Sequence, residues 1–237
     1  MSQNQLIVAL DVENLSAADH LVTTLSDHVK WFKVGNQLFT TAGPAAVKLL
    51  LDAKKNIFLD LKFHDIPNTV AGAVASSIEI GAHMINMHAS GGLEMMRAAA
   101  ESAEKQASEL GIPRPTLLGV TILTSVNEAD FQRGSGTSRR LEDQVAYLAE
   151  LSQRAGLDGV VASPLEIGLI RRVCGDDFVI VTPGVRPAWA VSNDQQRVMT
   201  PAEAIDAGAD YIVVGRPITA ADDPRDAARR ILQEIDQ

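Results

Sequence analysis

The sequence holds a single cysteine, Cys174, so no disulfide within the chain can staple the fold. One cysteine suits a reducing compartment. Its surroundings, Leu169 to Gly175, read as a helix end with a structural thiol. Aromatic residues are also scarce, at 4% of 237 residues. The core must therefore be built from Val, Ile, Leu and Ala, as buried parallel strands are. Positive charge is in short supply: 21 Lys and Arg face 30 Asp and Glu, for a net charge of −9. That balance argues against a broad basic face, and no nucleic-acid partner is expected. No apolar run approaches the roughly 20 residues of a membrane helix. The opening Met1-Ser2-Gln3-Asn4-Gln5 has neither a positive start nor an apolar stretch. No signal peptide or membrane contact is expected, and the cytoplasm is the expected compartment.

What is present is a regular alternation. Eight short runs rich in Val, Ile and Leu recur: Leu6–Leu10, Trp31–Val34, Ile57–Leu61, Met84–Met87, Thr116–Val120, Gly159–Ala162, Phe178–Val181 and Tyr211–Val214. Each is too short for an independent helix and reads as a strand. Between them lie helical segments, among them Asn68–Ile80, Leu93–Leu110, Leu141–Ala155, Pro201 to near Gly208, and Asp223–Ile235. Gly81, Gly111, Gly156 and Gly208 stop four of these just before a strand. An internal echo runs through Gly81-Ala-His-Met, Gly156-Leu-Asp-Gly and Gly208-Ala-Asp-Tyr, each a helix cap leading into a strand. Strict alternation implies a parallel sheet with right-handed crossovers. Eight units without a linker predict one α/β domain over residues 1–237, a single (β/α)8 TIM barrel. No G-x-G-x-x-G follows the first strand, which weakens a dinucleotide-binding sheet. Two long polar stretches, Val126–Arg140 and Pro187–Thr200, read as loops able to cover a site.

Polar residues gather where the strands end, the face on which barrels carry their active sites. Asp11 ends the first run and Lys33 sits in the second. The third runs into Asp60-Leu-Lys62-Phe-His-Asp65. Side chains alternate along a strand, so Asp60 and Lys62 share a side, with Asp65 in the turn beyond. Carboxylates beside an amine favour its ammonium form, which can stabilise negative charge and donate a proton. A satisfied ion pair would explain Asp60 and Lys62 alone. It would not require Asp11 and Lys33 at two other strand ends. After the seventh and eighth strands, Gly184 and Gly215 let backbone N–H groups approach an anion, and Arg216 offers a bidentate contact to phosphate. A plain Gly-Arg-Pro turn is the simpler alternative there. His20, His28 and His83 read as surface or structural. His64 and His88 lie near the mouth without metal-ligand spacing, so no metal site is expected. Trp189 either covers a ligand or is an incidental loop aromatic.

These residues carry a resemblance. Asp60-Leu-Lys-Phe-His-Asp-Ile-Pro-Asn-Thr69 resembles the D-x-K-x-x-D-I-x-x-T signature of the orotidine 5′-phosphate decarboxylase family, in its bacterial branch. The likeness continues through Leu10-Asp11, Phe32-Lys-Val-Gly35, His88-Ala-Ser-Gly-Gly92, Leu123-Thr-Ser125, Thr182 to Pro187, Asp194-Gln195 and Val214-Gly-Arg-Pro217. D-x-K-x-x-D alone is shared with related sugar-phosphate lyases; the combination is specific. The resemblance implies loss of CO2 from orotidine 5′-phosphate to give uridine 5′-phosphate. Lys62 would stabilise and protonate the carbanion, and Asp60 would face the departing carboxylate. Lys33 and Asp11 would hold the ribose and fix the charged array. Thr124 and Gln195 would contact the base. Gln195, Gly215 and Arg216 would hold the phosphate, with Arg186 supporting the seventh-strand loop. Asp65, Ile66 and Thr69 would act in a partner's site across a homodimer interface. No metal or organic cofactor is implied. Two alternatives stand beside this. A magnesium-dependent 3-keto-L-gulonate 6-phosphate decarboxylase or hexulose-phosphate synthase would carry an acidic residue where Lys33 stands. A silent phosphate-binding barrel would need no Asp60, Lys62 and Asp65 together.

Overall fold

A computed structural model describes residues 4–190 and 199–236. Eight parallel strands close into a barrel in sequence order, as the alternation predicts. They are β1 (Leu6–Ala9), β2 (Trp31–Gly35), β3 (Asn56–Phe63), β4 (Met84–His88), β5 (Thr116–Val120), β6 (Gly159–Val161), β7 (Val179–Thr182) and β8 (Tyr211–Val214). The ring of helices comprises α1 (Leu15–Leu25), α2 (Asn36–Ala42), α3 (Pro44–Asp52), α4 (Pro67–Glu79), α5 (Leu93–Leu110), α6 (Glu128–Ser135), α7 (Leu141–Arg154), α8 (Ile167–Cys174), α9 (Pro201–Asp206), α10 (Arg216–Thr219) and α11 (Pro224–Ile235). The five helices named from sequence fall within a residue or two of their expected ends.

Alternation along the strands sorts the core into two layers. Ile7, Ala9, Phe58, Met84, Leu118, Val120, Val161, Val181 and Val213 fill the barrel interior. Leu6, Val8, Phe32, Val34, Ile57, Leu59 and Ile85 point outward and pack under the helices. Both layers are aliphatic apart from a few Phe, as the aromatic scarcity requires. Each fully buried aliphatic side chain contributes roughly 1.5–3 kcal/mol against exposure.

The internal echo has a structural job at the bottom of the barrel. Its third residue, just before a strand, accepts the N–H of the second residue of the preceding strand. Asp158 Oδ2 accepts from Leu117 N–H and Asp210 Oδ2 from Ile180 N–H, both at 2.7 Å. His83 Nδ1 accepts from Ile57 N–H at 3.2 Å. The backbone N–H of each returns the bond to the same partner's carbonyl. Arg114 pairs with Asp158, and Arg171 with Asp210. The echo is thus a strand-end lock, and His83 is structural.

One expected loop is partly helical. Within Val126–Arg140, α6 forms behind the N-cap Asn127, whose side chain accepts from Asp130 N–H at 2.9 Å. Its one buried residue, Phe131, leaves no apolar stripe to announce it. Cys174 ends α8, half-buried. Burial, reinforced by Glu150 and opposed by Arg171, pushes its thiol pKa from 9.0 to about 11. Among the described residues, no helix is long and apolar enough to cross a membrane.

Candidate active site

The carboxyl ends of the strands open into a cavity of about 650 Å³, a size suited to a small-molecule ligand. Its floor is the top of the inner core: Ala9, Phe58, Val120, Val161 and Val213. Asp11, Lys33, Asp60, Lys62, Thr124, Arg186, Gly215 and Arg216 line it above. Eight of the expected site residues are therefore brought together from six strands and their loops. Asp65, Ile66 and Thr69 do not line the cavity and are exposed, with Ile66 66% accessible. Gln195 and Asp194 lie outside the described residues.

The charges form one continuous chain. Lys33 Nζ lies 2.9 Å from Asp11 Oδ1 and 3.1 Å from Asp60 Oδ2. Lys62 Nζ lies 2.6 Å from Asp60 Oδ1. Asp60 thus gives one oxygen to each lysine. Burial works against both Asp60 and Lys33 as charged groups, but their partners win. The ammoniums of Lys33 and Lys62, with hydrogen bonds from Lys62 and Asn86, hold Asp60 below the usual carboxylate range. Asp60 and Asp11 raise Lys33 above the usual lysine value. Asp60 and Lys33 are therefore held in their charged forms, and acidic and basic side chains alternate along the array.

The proximity of Asp60 and Lys62 is not that of a flat strand. On β3, Leu59 pairs with Ile85 and Phe63 with Met87, so four steps of β3 match two of β4. The excess is absorbed in a bulge, and Lys62 takes a left-handed backbone with φ 53°. A non-glycine residue there costs roughly 1–2 kcal/mol. Such strain concentrates at functional sites, where surrounding structure over-determines it.

Two further residues shape the array and escaped the sequence reading. Asn86 is fully buried on β4. Its Nδ2 donates to Asp60 Oδ1 at 2.7 Å and its Oδ1 accepts from Lys62 N–H at 2.9 Å. Alternation inward from Met84 would have marked it as a polar group inside the barrel. Gly35 is the second. A Cβ there would sit 2.7 Å from Lys33 Nζ and 3.0 Å from Asp11 Oδ1. Any side chain would enter the ion pair, a constraint that only the folded geometry reveals.

His64 and His88 pack near the mouth with ring centroids 5.5 Å apart and their planes tilted by 45°. Burial, then the nearby His64 and Lys62, depress the His88 pKa despite Asp60. Among the described residues, no three His, Cys, Asp or Glu side chains cluster as metal ligands. Trp189 does not line the cavity; Arg230 of α11 lies over its ring at 4.2 Å from the centroid.

Comparison with known proteins adds the lineage of this geometry. Residues 4–231 match the family described as "Orotidine 5'-phosphate decarboxylase / HUMPS family". The orotidine 5′-phosphate decarboxylase of Moorella thermoacetica is 52% identical, over 99% of this chain and 93% of its own length. That of Syntrophotalea carbinolica is 54% identical, over 99% and 96%. Among solved structures, the orotidine 5′-phosphate decarboxylase of Lactobacillus acidophilus superposes with a TM-score of 0.86 at 38% identity, covering 99% of this chain and all of its own.

Proposed function

The chain belongs to the orotidine 5′-phosphate decarboxylase / HUMPS family, and from that premise we propose how its barrel mouth converts orotidine 5′-phosphate into uridine 5′-phosphate and CO2. The observation that carries the reading is the alternating Asp11–Lys33–Asp60–Lys62 array above an apolar floor.

Decarboxylation breaks the bond between C6 of the pyrimidine and its carboxylate. The electron pair stays on C6 as CO2 leaves, and the ring offers no adjacent sink for it. A preorganised ammonium in a site poor in water meets that charge directly. Lys62 is the group for this role. Its Nζ stabilises the developing carbanion, passes a proton to C6, and is reprotonated from solvent. Asp60 holds the Lys62 ammonium and faces the departing carboxylate, a like-charge approach that CO2 loss relieves. Lys33 and Asp11 hold the ribose hydroxyls, and the Lys33 ammonium helps to keep Asp60 ionised. Thr124 contacts the base. Arg216 and Gly215 receive the phosphate, with Gln195, and Arg186 braces the β7 loop. The phosphate is remote from C6, so its binding energy is available for orienting the base against the array.

Asp65, Ile66 and Thr69 complete the site of a second copy. Their exposure beside the mouth, with the largely accessible Ile66, supports a homodimer in which each site borrows from its neighbour. A cytoplasmic location suits the single cysteine, Cys174, which a reducing compartment keeps as a thiol. The magnesium-dependent lyase reading is disfavoured by charge. The buried Lys33 ammonium stands between Asp11 and Asp60, the carboxylates a cation would need. The reading is tested by following the absorbance of orotidine 5′-phosphate with purified protein in EDTA. Rapid conversion to uridine 5′-phosphate supports it. A folded protein that turns over only with added Mg²⁺ would move the assignment to the metal-dependent lyases.

A further inference from the structure

Asp60 and Lys62 are held by a side chain that belongs to neither the charged array nor the cavity wall. We infer that Asn86 is a positioning residue for the decarboxylation, locking the Lys62 ammonium and the Asp60 carboxylate into one rigid unit. The inference rests on the activity proposed above.

The bulge in β3 takes Lys62 out of the regular ladder, so its N–H needs another acceptor. The Asn86 amide oxygen supplies it at 2.9 Å. The same amide turns its nitrogen to Asp60 Oδ1 at 2.7 Å, the oxygen that also takes Lys62 Nζ at 2.6 Å. The assignment of oxygen and nitrogen follows from the partners, since a backbone N–H needs an acceptor and a carboxylate needs a donor. Asn86 therefore fixes Lys62 at its backbone and, through Asp60, at its ammonium. A left-handed lysine without that tether could relax toward the ordinary strand conformation, carrying Nζ away from where C6 must sit.

Few side chains can serve both contacts. Asp would set a second carboxylate against Asp60, Ser would fall short, and Leu would leave the Lys62 N–H and one Asp60 lone pair unserved. Asn86 is 0% exposed, so water does not replace it from bulk solvent. Displacements of about 0.5 Å in such a constellation degrade the chemistry while leaving remote binding contacts in place.

The test compares Asn86→Leu, which keeps the branching at Cγ without the amide, with Asn86→Gln, which keeps the amide on a longer stem. Both are measured for kcat, for KM, and for the dissociation constant of uridine 5′-phosphate, with melting curves to verify folding. Asn86→Leu is expected to lower kcat by about 30-fold or more, with KM and uridine 5′-phosphate affinity within about threefold. Asn86→Gln is expected to recover part of the loss. A packing role alone predicts the reverse order, because Leu branches at Cγ as Asn does whereas Gln moves the branch one carbon further out. If Asn86→Leu does not fold, Asn86→Ser takes its place against Asn86→Gln. The inference is overturned if the folded amide-free variant keeps kcat within about threefold of the parent, if Asn86→Gln is no better, or if nucleotide affinity falls in step with kcat. No turnover by the parent itself would instead overturn the proposed activity.

Discussion

Lys33 reaches Asp60 from the neighbouring strand, its Nζ 3.1 Å from Asp60 Oδ2, while its other hand holds Asp11 Oδ1 at 2.9 Å. Removing one partner of a buried ion pair strands the other charge. Lys33→Met is therefore expected to cost about 3 kcal/mol, or roughly 6–12 °C in Tm for a chain of this size. The pH dependence follows from the direction of the shifts. Lys33 is raised above its ordinary 10.5, so its contribution is complete below that value and is lost as pH rises through the folded one. Asp60 is held below its ordinary 3.8, so its contribution is complete above that value and is lost as pH falls through the folded one. The Tm gap between parent and Lys33→Met should stay level from about pH 6 to 9 and narrow above pH 10.5. A gap that is flat into strong alkali would sink this account.

Gly35 gives a steric test of the same bridge. Gly35→Ala places a methyl 2.7 Å from Lys33 Nζ. The lysine end must move, and with it the contact to Asp11 or Asp60. A loss in kcat/KM of about tenfold or more is expected, with a smaller fall in Tm than Lys33→Met, because the lysine is displaced rather than removed. Parental kinetics would show that the array tolerates displacement.

Lys62→Ala removes the proposed proton donor and the charge opposite the carbanion. Turnover should fall by more than about a thousandfold, since both electrostatic stabilisation and acid catalysis are lost. Uridine 5′-phosphate binding should stay measurable by calorimetry, because Arg216 and the β7 and β8 loops remain. Surviving turnover would refute the mechanism.

A shared site makes a quantitative statement about mixtures. Lys62→Ala and Asp65→Ala should each be nearly inactive. After co-refolding, random reassortment should restore about a quarter of parental sites, since half the dimers are mixed and each mixed dimer holds one intact site. No recovery despite heterodimer formation would place Asp65 in its own chain's chemistry or in none.

At the opposite end of the barrel, His83 accepts the Ile57 N–H only while Nδ1 is unprotonated. Burial depresses its pKa below 6.5, so its contribution holds above that value and is lost as pH falls. His83→Leu should cost about 1 kcal/mol at pH 7.5 and flatten the fall in Tm with acidification below pH 6.5. An unchanged acid slope would assign it to carboxylates elsewhere.

The alternation of apolar runs with capped helices, set by chain-local periodicity, already determined the barrel and the order of its strands. Because side chains alternate inside and out, it also determined that Asp11, Lys33, Asp60 and Lys62 gather at one mouth. Local signal failed for α6, which buries a single Phe131 and so carries no stripe. It failed too where a residue's role depends on neighbours distant in sequence. The tether of Asn86 to Asp60 spans 26 residues, and the space denied to any side chain at Gly35 is filled by Lys33 and Asp11. Alternation foretold that Asp60 and Lys62 would meet, but not that a bulge and a left-handed lysine would bring them together. Those features are decided by strand pairing across the closed barrel, where one strand's irregularity is compensated by the side chains of the next.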